Sequence, residues 1–302
     1  MEQGWSRAKA VFVASLGPPL LFLAFFFLAP LAVIWGYSFG VNDGLTDVAV
    51  TGSFGNYARA IEPLYLEIFL KSAGVAGLAT LICFLLGFPV ALGITFAPPR
   101  MKIWLILLVM LPFWTNLLIR TYALIAVLRR EGYVNQALEF FWSGASSLSE
   151  MAVGTPLAPF EPLDLLYNNF AVVFGLVYVH LPFMVLPLYA ALDRMDRSLL
   201  EASLDLGAGH FTTVRRIVIP IAAPGVASGV LLTFIPALGS YLTPDLLGGP
   251  DSQMIANVIE RQFKRANNWP FGAALSFLLM YLTFIAIALQ AVLGSRKREG
   301  RP

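Results

Sequence analysis

The chain has 302 residues, 58% of them hydrophobic and only 13% charged, with a net charge of +2. A water-soluble domain carries about 25% charged residues, so this balance excludes a soluble globule. The single cysteine, Cys83, excludes a disulfide framework and a cysteine metal cluster, and the two histidines, His180 and His210, are too far apart along the chain to suggest a histidine metal site. The small net charge, without basic stretches interleaved with aromatics before the last residues, gives no footprint for nucleic acid.

The charges are clustered, which leaves uncharged runs over 10–42, 72–99, 103–119, 165–192, 217–244 and 266–295. About 20 apolar residues cross the hydrocarbon layer as a helix. Backbone groups must pair internally in lipid, and these runs lack the alternation of barrel strands. The chain therefore reads as an all-α integral membrane protein with six transmembrane helices near 12–37, 70–97, 103–128, 170–192, 221–243 and 271–293. The first run is too long for a signal-peptide core and is expected to stay as an anchor.

Lysine and arginine placement orients these spans. The N-terminus (Arg7, Lys9), the turn after span 2 (Arg100, Lys102), the loop after span 4 (Arg194, Arg197, Arg215, Arg216) and the tail (Arg296, Lys297, Arg298, Arg301) hold twelve basic residues. The other loops hold seven, namely Arg59, Lys71, Arg129, Arg130, Arg261, Lys264 and Arg265. Both termini are thus expected in the cytoplasm. Twelve of the eighteen acidic residues fall in the opposite loops, an outer face that favours an approaching cation. The five-residue inner turn from Pro98 to Lys102 makes spans 2 and 3 neighbours. The outer segment of about 129–169 is long enough for short elements of its own, with turns expected at Gly144–Ser149 and Pro156–Pro162.

The loop over 193–220 carries the most chemistry. Ser198 followed by Glu201 has the spacing of a capping box, which would start a short helix that Gly207 stops in the left-handed conformation. A second helix then runs to Pro220. Small residues Ala202, Ser203, Gly207 and Ala208 permit close approach of another protein, and Glu201 and Asp205 share one helical face. The same pattern also suits a satisfied amphipathic connector.

This stretch resembles the EAA signature of permease subunits in bacterial ABC importers. The match is Glu201, Ala202, Ser203 in place of the second alanine, Gly207, Ile217, Ile219 in place of leucine, and Pro220, with spacing intact. Leu111–Tyr122, Gly175–Tyr189, Pro236–Tyr241 and Trp269–Ala274 resemble the spermidine/putrescine branch of that family. The resemblance covers about Leu20 to Gln290 and implies a type I importer permease fold made of one transmembrane domain, 1–302. It implies that Glu201, Ala202, Ser203, Asp205, Gly207, Ala208 and Pro220 couple the chain to a cytoplasmic ATPase. The expected partners are a second homologous permease, two ATPase subunits that use ATP and Mg, an external solute-binding protein and the lipid bilayer. No cofactor is expected on this chain, which has no Gly-Lys dipeptide and so no phosphate-binding loop of the Gly-x-x-x-x-Gly-Lys kind.

The solute implied is a polyamine, with Trp114, Tyr241, Asp245 and Trp269 as the candidate path, because aromatic faces and carboxylates suit an extended chain of cations. Sister branches carry other small polar solutes, such as opines or aminophosphonates, and that alternative stays open. A stand-alone secondary transporter is a further reading, against which the spans show neither carboxylates nor an inverted repeat. An integral-membrane enzyme is discounted because no nucleophile, base and carboxylate share one depth. Arg120, the one charge inside a span, is expected to snorkel to the outer interface, and His180 to bond a neighbouring helix. Gly36–Gly40 and Gly225–Gly229 have the spacing of close helix contacts.

Overall fold

The computed structural model describes residues 9–44, 47–153, 155 and 157–299, with side chains described from residue 13 to residue 288. Among them, five helices are long and apolar enough to cross a membrane, and a bent helix pair makes a sixth. The chain divides into two compact units, one comprising residues up to Leu66 with Val258–Ala288, the other Glu67–Asn257 with the stretch from Leu289 on.

In the first unit, α1 (Lys9–Leu23), a wide π-helical turn (Ala24–Leu28) and α2 (Ala29–Tyr37) make one continuous span from Val13 to Tyr37. None of its apolar window is covered by the rest of the chain. Strands β1 (Gly40–Asp43) and β2 (Asp47–Val50) follow as an antiparallel hairpin that pairs Gly40 with Val50. The short helix α3 (Gly55–Ala60) is tied to it by Asn56, whose amide donates to the Ser38 and Gly40 carbonyls. Gly40 therefore sits in a strand, and Gly36 has open space around it, so the expected Gly36–Gly40 helix contact is not formed.

The second unit contains most of α4 (Pro63–Phe96), then α5 (Pro99–Met110), a 3-10 turn (Leu111–Trp114) and α6 (Leu117–Leu128). The span expected over 103–128 is broken, with its two parts meeting at 92° beside Pro112, a residue that bends a helix. Pro112 denies the helix a donor, Thr115 is extended, and the Asn116 side chain accepts the Leu118 N–H to start a new helix. Helix α7 (Tyr133–Val153) runs straight through Gly144–Ser149, where a turn was expected. A glycine inside a helix costs only about 1 kcal/mol relative to alanine, so neighbouring helix formers carry it. The return segment is fastened to α7 by Asn135, which exchanges two hydrogen bonds with Leu163, and by the Trp142 indole donating to the Ala158 carbonyl.

Helix α8 (Asn169–Leu192) starts at Asn168, whose side chain accepts the Ala171 N–H. After the loop helix α9 (Ser198–Asp205), α10 (His210–Thr213), a second π-helical turn (Val214–Val218) and α11 (Ile219–Leu238) form one helix from His210 to Leu238. The second loop helix therefore does not end at Pro220, and the fifth span begins eleven residues before the expected 221. Both wide turns stand two residues ahead of a proline, Pro30 and Pro220. A proline ring collides with the carbonyl four residues back, here that of Phe26 or Arg216, and each such carbonyl lies inside its wide turn, which opens the spacing.

Helices α8 and α11 pack at glycine distance. A Cβ on Gly225 would stand 2.6 Å from both the Ala191 Cβ and the Pro187 carbonyl oxygen, and one on Gly229 would stand 2.7 Å from the Met184 sulfur. The Gly225–Gly229 contact expected from spacing is thus made. Helix α11 stops at Gly239, short of the expected 243, and α12 (Leu242–Leu247) follows as a separate short helix. The chain continues through α13 (Ile255–Lys264), which was not expected, into α14 (Trp269–Glu299).

Candidate coupling loop and substrate-facing residues

The loop over 193–220 is anchored at its start by two charged contacts. The Asp193 carboxylate pairs with Lys102, and the Arg197 guanidinium donates to the Thr95 carbonyl at 3.2 Å. Thr95 is in the last turn of α4, where unpaired carbonyls favour a cation. These contacts bring the 97–102 turn and the 193–220 loop to one end of the second unit, the arrangement that the charge distribution calls for.

The expected capping box does not form. Asp196 accepts the Ser198 N–H at 3.0 Å, and the Glu201 N–H goes to the Arg197 carbonyl rather than to the Ser198 hydroxyl. A carboxylate two residues upstream is the stronger acceptor, and this bond holds the Asp196 carboxyl below its ordinary value. The other end of α9 follows expectation. Gly207 has φ +80°, its N–H bonds the Leu204 carbonyl, and the Ala208 N–H bonds the Ser203 carbonyl. This double bond set closes a helix on a left-handed residue, which glycine adopts without a Cβ penalty.

Glu201, Ala202 and Asp205 are exposed, Ala208 is half-buried, and Ser203 is only 9% exposed. Ser203 therefore does not belong to a docking surface. Its hydroxyl lies 2.9 Å from the Thr213 hydroxyl, which in turn donates to the Gly209 carbonyl, so it fastens α9 to α10 across the glycine break. Pro220 is exposed within the continuous helix and acts through the wide turn before it. Two residues not singled out from sequence complete the surface. Leu206 is 88% exposed and Phe211 79%, one on each side of Gly207. With the less exposed Leu199 and Leu204 they form an apolar patch on this loop, of the kind that suits a contact with another protein. On the coupling role that the resemblance implies, replacing Leu206 or Phe211 by aspartate is expected to lower the ATPase recovered with the purified chain at least about tenfold, as for a hot spot worth more than about 1.4 kcal/mol. Pull-down from membranes with equal amounts of each variant measures it.

Of the four candidate path residues, Tyr241 and Asp245 come together. The Asp245 N–H bonds the Tyr241 carbonyl at the start of α12, and both side chains are exposed one helical turn apart. Trp114 is exposed at the break of the bent span. Trp269 belongs to the other unit, where its indole donates to Asn267 and its ring meets Phe263 edge-on.

Arg120 does not snorkel. It is 6% exposed, its Nη2 donates to the Thr115 carbonyl at 2.9 Å, and its guanidinium lies 5.9 Å from the Tyr178 ring. The break at Thr115 leaves a carbonyl without a helical donor, and a side chain in the next turn reaches it more directly than the interface. His180 bonds the Leu176 carbonyl of its own helix at 2.8 Å, not a neighbouring one.

Over residues 8–299 the chain matches the family described as binding-protein-dependent transport system inner membrane component. It is 40% identical over 257 residues to the spermidine/putrescine transport system permease protein PotB of Escherichia coli (strain K12), which covers 85% of this chain and 88% of that protein. The PotB protein of Haemophilus influenzae is 38% identical over 265 residues, covering 88% of this chain and 87% of its own. A bacterial alginate ABC transporter, solved in complex with a periplasmic protein bound to an alginate pentasaccharide, superposes over 97% of each chain with a TM-score of 0.68. At 15% identity that likeness concerns the fold alone.

Proposed function

The chain belongs to the binding-protein-dependent transport system inner membrane component family, as a multi-pass permease subunit of an ABC importer and not an enzyme, and on that premise we propose that it carries polyamines. The observation that supports this solute is the 40% identity to spermidine/putrescine permeases over 85% of the chain. The exposed Tyr241 and Asp245 on one face of α12 suit an ammonium group, which pairs with a carboxylate and packs on an aromatic face. Trp114 is assigned to the same path, and Trp269 is proposed separately as a substrate-facing residue of the first unit.

In this reading both termini and the 193–220 loop are cytoplasmic. Two ATPase subunits hydrolyse ATP with Mg, and each grips one permease of a homologous pair. The surface formed by Glu201, Ala202, Asp205, Leu206 and Phe211 is the grip on this chain. Ser203 and Gly207 hold its two helices at a set angle, so that a push on α9 is delivered to α11 through the wide turn before Pro220. An external solute-binding protein brings substrate to the acidic outer face.

Uptake of labelled spermidine by membranes carrying the complete system tests the reading. Uptake is expected to saturate, to require ATP and to be competed by unlabelled putrescine. Uptake indifferent to polyamines but competed by another small solute would replace the substrate assignment and leave the permease role in place.

A further inference from the structure

Helix α12, which presents Tyr241 and Asp245, is too short to fix its own direction. Six residues form fewer than two turns, and isolated helices of that length do not persist. Its back face is buried through Thr243, Pro244 and Leu247, and a Cβ on Gly175 of α8 would stand 2.7 Å from the Thr243 side chain and 2.4 Å from that of Leu247. At its far end the Leu247 carbonyl accepts the Tyr167 N–H at 2.9 Å. Its near end, which carries the two exposed residues, is held differently.

There the Tyr241 carbonyl accepts the Asn257 amide at 2.8 Å in addition to the Asp245 N–H. Asn257 is 1% exposed, and its Oδ1 accepts the Met254 N–H at 3.1 Å. One buried amide thus joins the start of α12 to the segment that returns from it. That segment is itself seated by Ser72 of α4, whose hydroxyl accepts the Ile255 N–H at 2.7 Å and donates to the Ile68 carbonyl. A buried amide with its donor and acceptor both engaged resists displacement, since either bond left open costs about 1–3 kcal/mol.

We infer that Asn257 is a positioning residue for the substrate face: through the Tyr241 carbonyl it sets where the Tyr241 ring and the Asp245 carboxylate point. This rests on the assignment of Tyr241 and Asp245 to the polyamine path. Asn257 touches no substrate in this arrangement. Its effect falls on affinity, because the two exposed side chains bind only when both reach the same cation.

Two substitutions separate its two bonds. Asn257→Asp keeps an oxygen for the Met254 N–H and, with uptake read at a pH where its carboxyl is ionised, turns a second oxygen on the Tyr241 carbonyl, so it severs the α12 bond alone. Asn257→Leu, of the same branched heavy-atom shape though larger, removes both. Each is expected to raise the KM for spermidine uptake about tenfold while the maximal rate per assembled complex changes little. Gly93→Ala in α4, which has open space around it and touches neither α12 nor the returning segment, is expected to leave KM within about twofold. KM is read on the molecules that assemble, so a lower yield does not obscure it. Should neither variant reach the membrane, Asn257→Gln, which retains the amide and shifts it by one methylene, is expected to raise KM in the same way. An unchanged KM in any of the Asn257 variants, with losses confined to yield or maximal rate, overturns the inference and leaves Asn257 a packing residue. An unmodified complex that carries no polyamine overturns the substrate reading, and this inference with it.

Discussion

Gly207→Asp is expected to abolish transport while leaving the chain inserted in the membrane. Gly207 has φ +80° with nothing within 4 Å of where a Cβ would stand, so the new side chain meets strain rather than a clash. That strain is about 1–2 kcal/mol, enough to release the Gly207 and Ala208 N–H bonds that close α9. Releasing them alters the angle between α9 and α10, and it also places a charge between the exposed Leu206 and Phe211. Insertion depends instead on the apolar lengths of the spans, which the exchange does not touch. Gly207→Ala adds the strain without the charge and is expected to keep partial uptake. Spermidine uptake, normalised to the amount of chain in the membrane, measures both. Normal uptake by the aspartate variant would remove the coupling role from this loop.

Gly225→Ala is expected to cost most of the folded protein. The added methyl would stand 2.6 Å from the Ala191 Cβ, 2.6 Å from the Pro187 carbonyl oxygen and 3.3 Å from the Leu188 Cα. Two of those three neighbours are backbone, which no rotamer change can move, so α8 and α11 must separate. Separation also opens the Gly229–Met184 contact one turn along. Overpacking of this kind costs about 1–3 kcal/mol and more where backbone must shift, a large share of a net stability of about 5–15 kcal/mol. Gly93→Ala in α4 is the matched control, since nothing lies within 4 Å of its position and alanine is the better helix former there. Thermal retention of monodisperse protein in detergent should fall for Gly225→Ala and hold or rise for Gly93→Ala. Equal behaviour of the two would show that α8 and α11 do not depend on close approach.

The site was legible where a residue acts through its own backbone. Gly207 at the end of a short helix announces a left-handed stop, and the structure has it. Glu201 and Asp205 were placed together by helical spacing alone, as were Tyr241 and Asp245 once α12 is known. The site was misread where a side chain's partner depended on the exact helix start or on the neighbouring helix. Ser198 loses its cap role because the helix starts one residue earlier, so that the Arg197 carbonyl takes the Glu201 N–H in its place. Ser203, assigned to the docking surface because it is small, turns inward because Thr213 offers it a partner. Asn257 carried no sequence signal at all, since its two partners are Met254 nearby and Tyr241, sixteen residues away.

Composition and charge placement by themselves determined that this chain lives in a bilayer, how many apolar stretches it has, and that the 193–220 loop differs from the others. Those properties are sums over side chains, and lipid enforces them segment by segment because each span must satisfy its own backbone. Tertiary structure alone decided how sharply the third span turns at Pro112, how Pro220 is absorbed into a continuous helix, and why Arg120 stays buried. Each of those turns on a single carbonyl, at Thr115 or at Arg216, and on whether a neighbour can reach it or a wide turn can make room for it. Such a contest is settled by distances of a few tenths of an ångström between groups, which no count of residues contains.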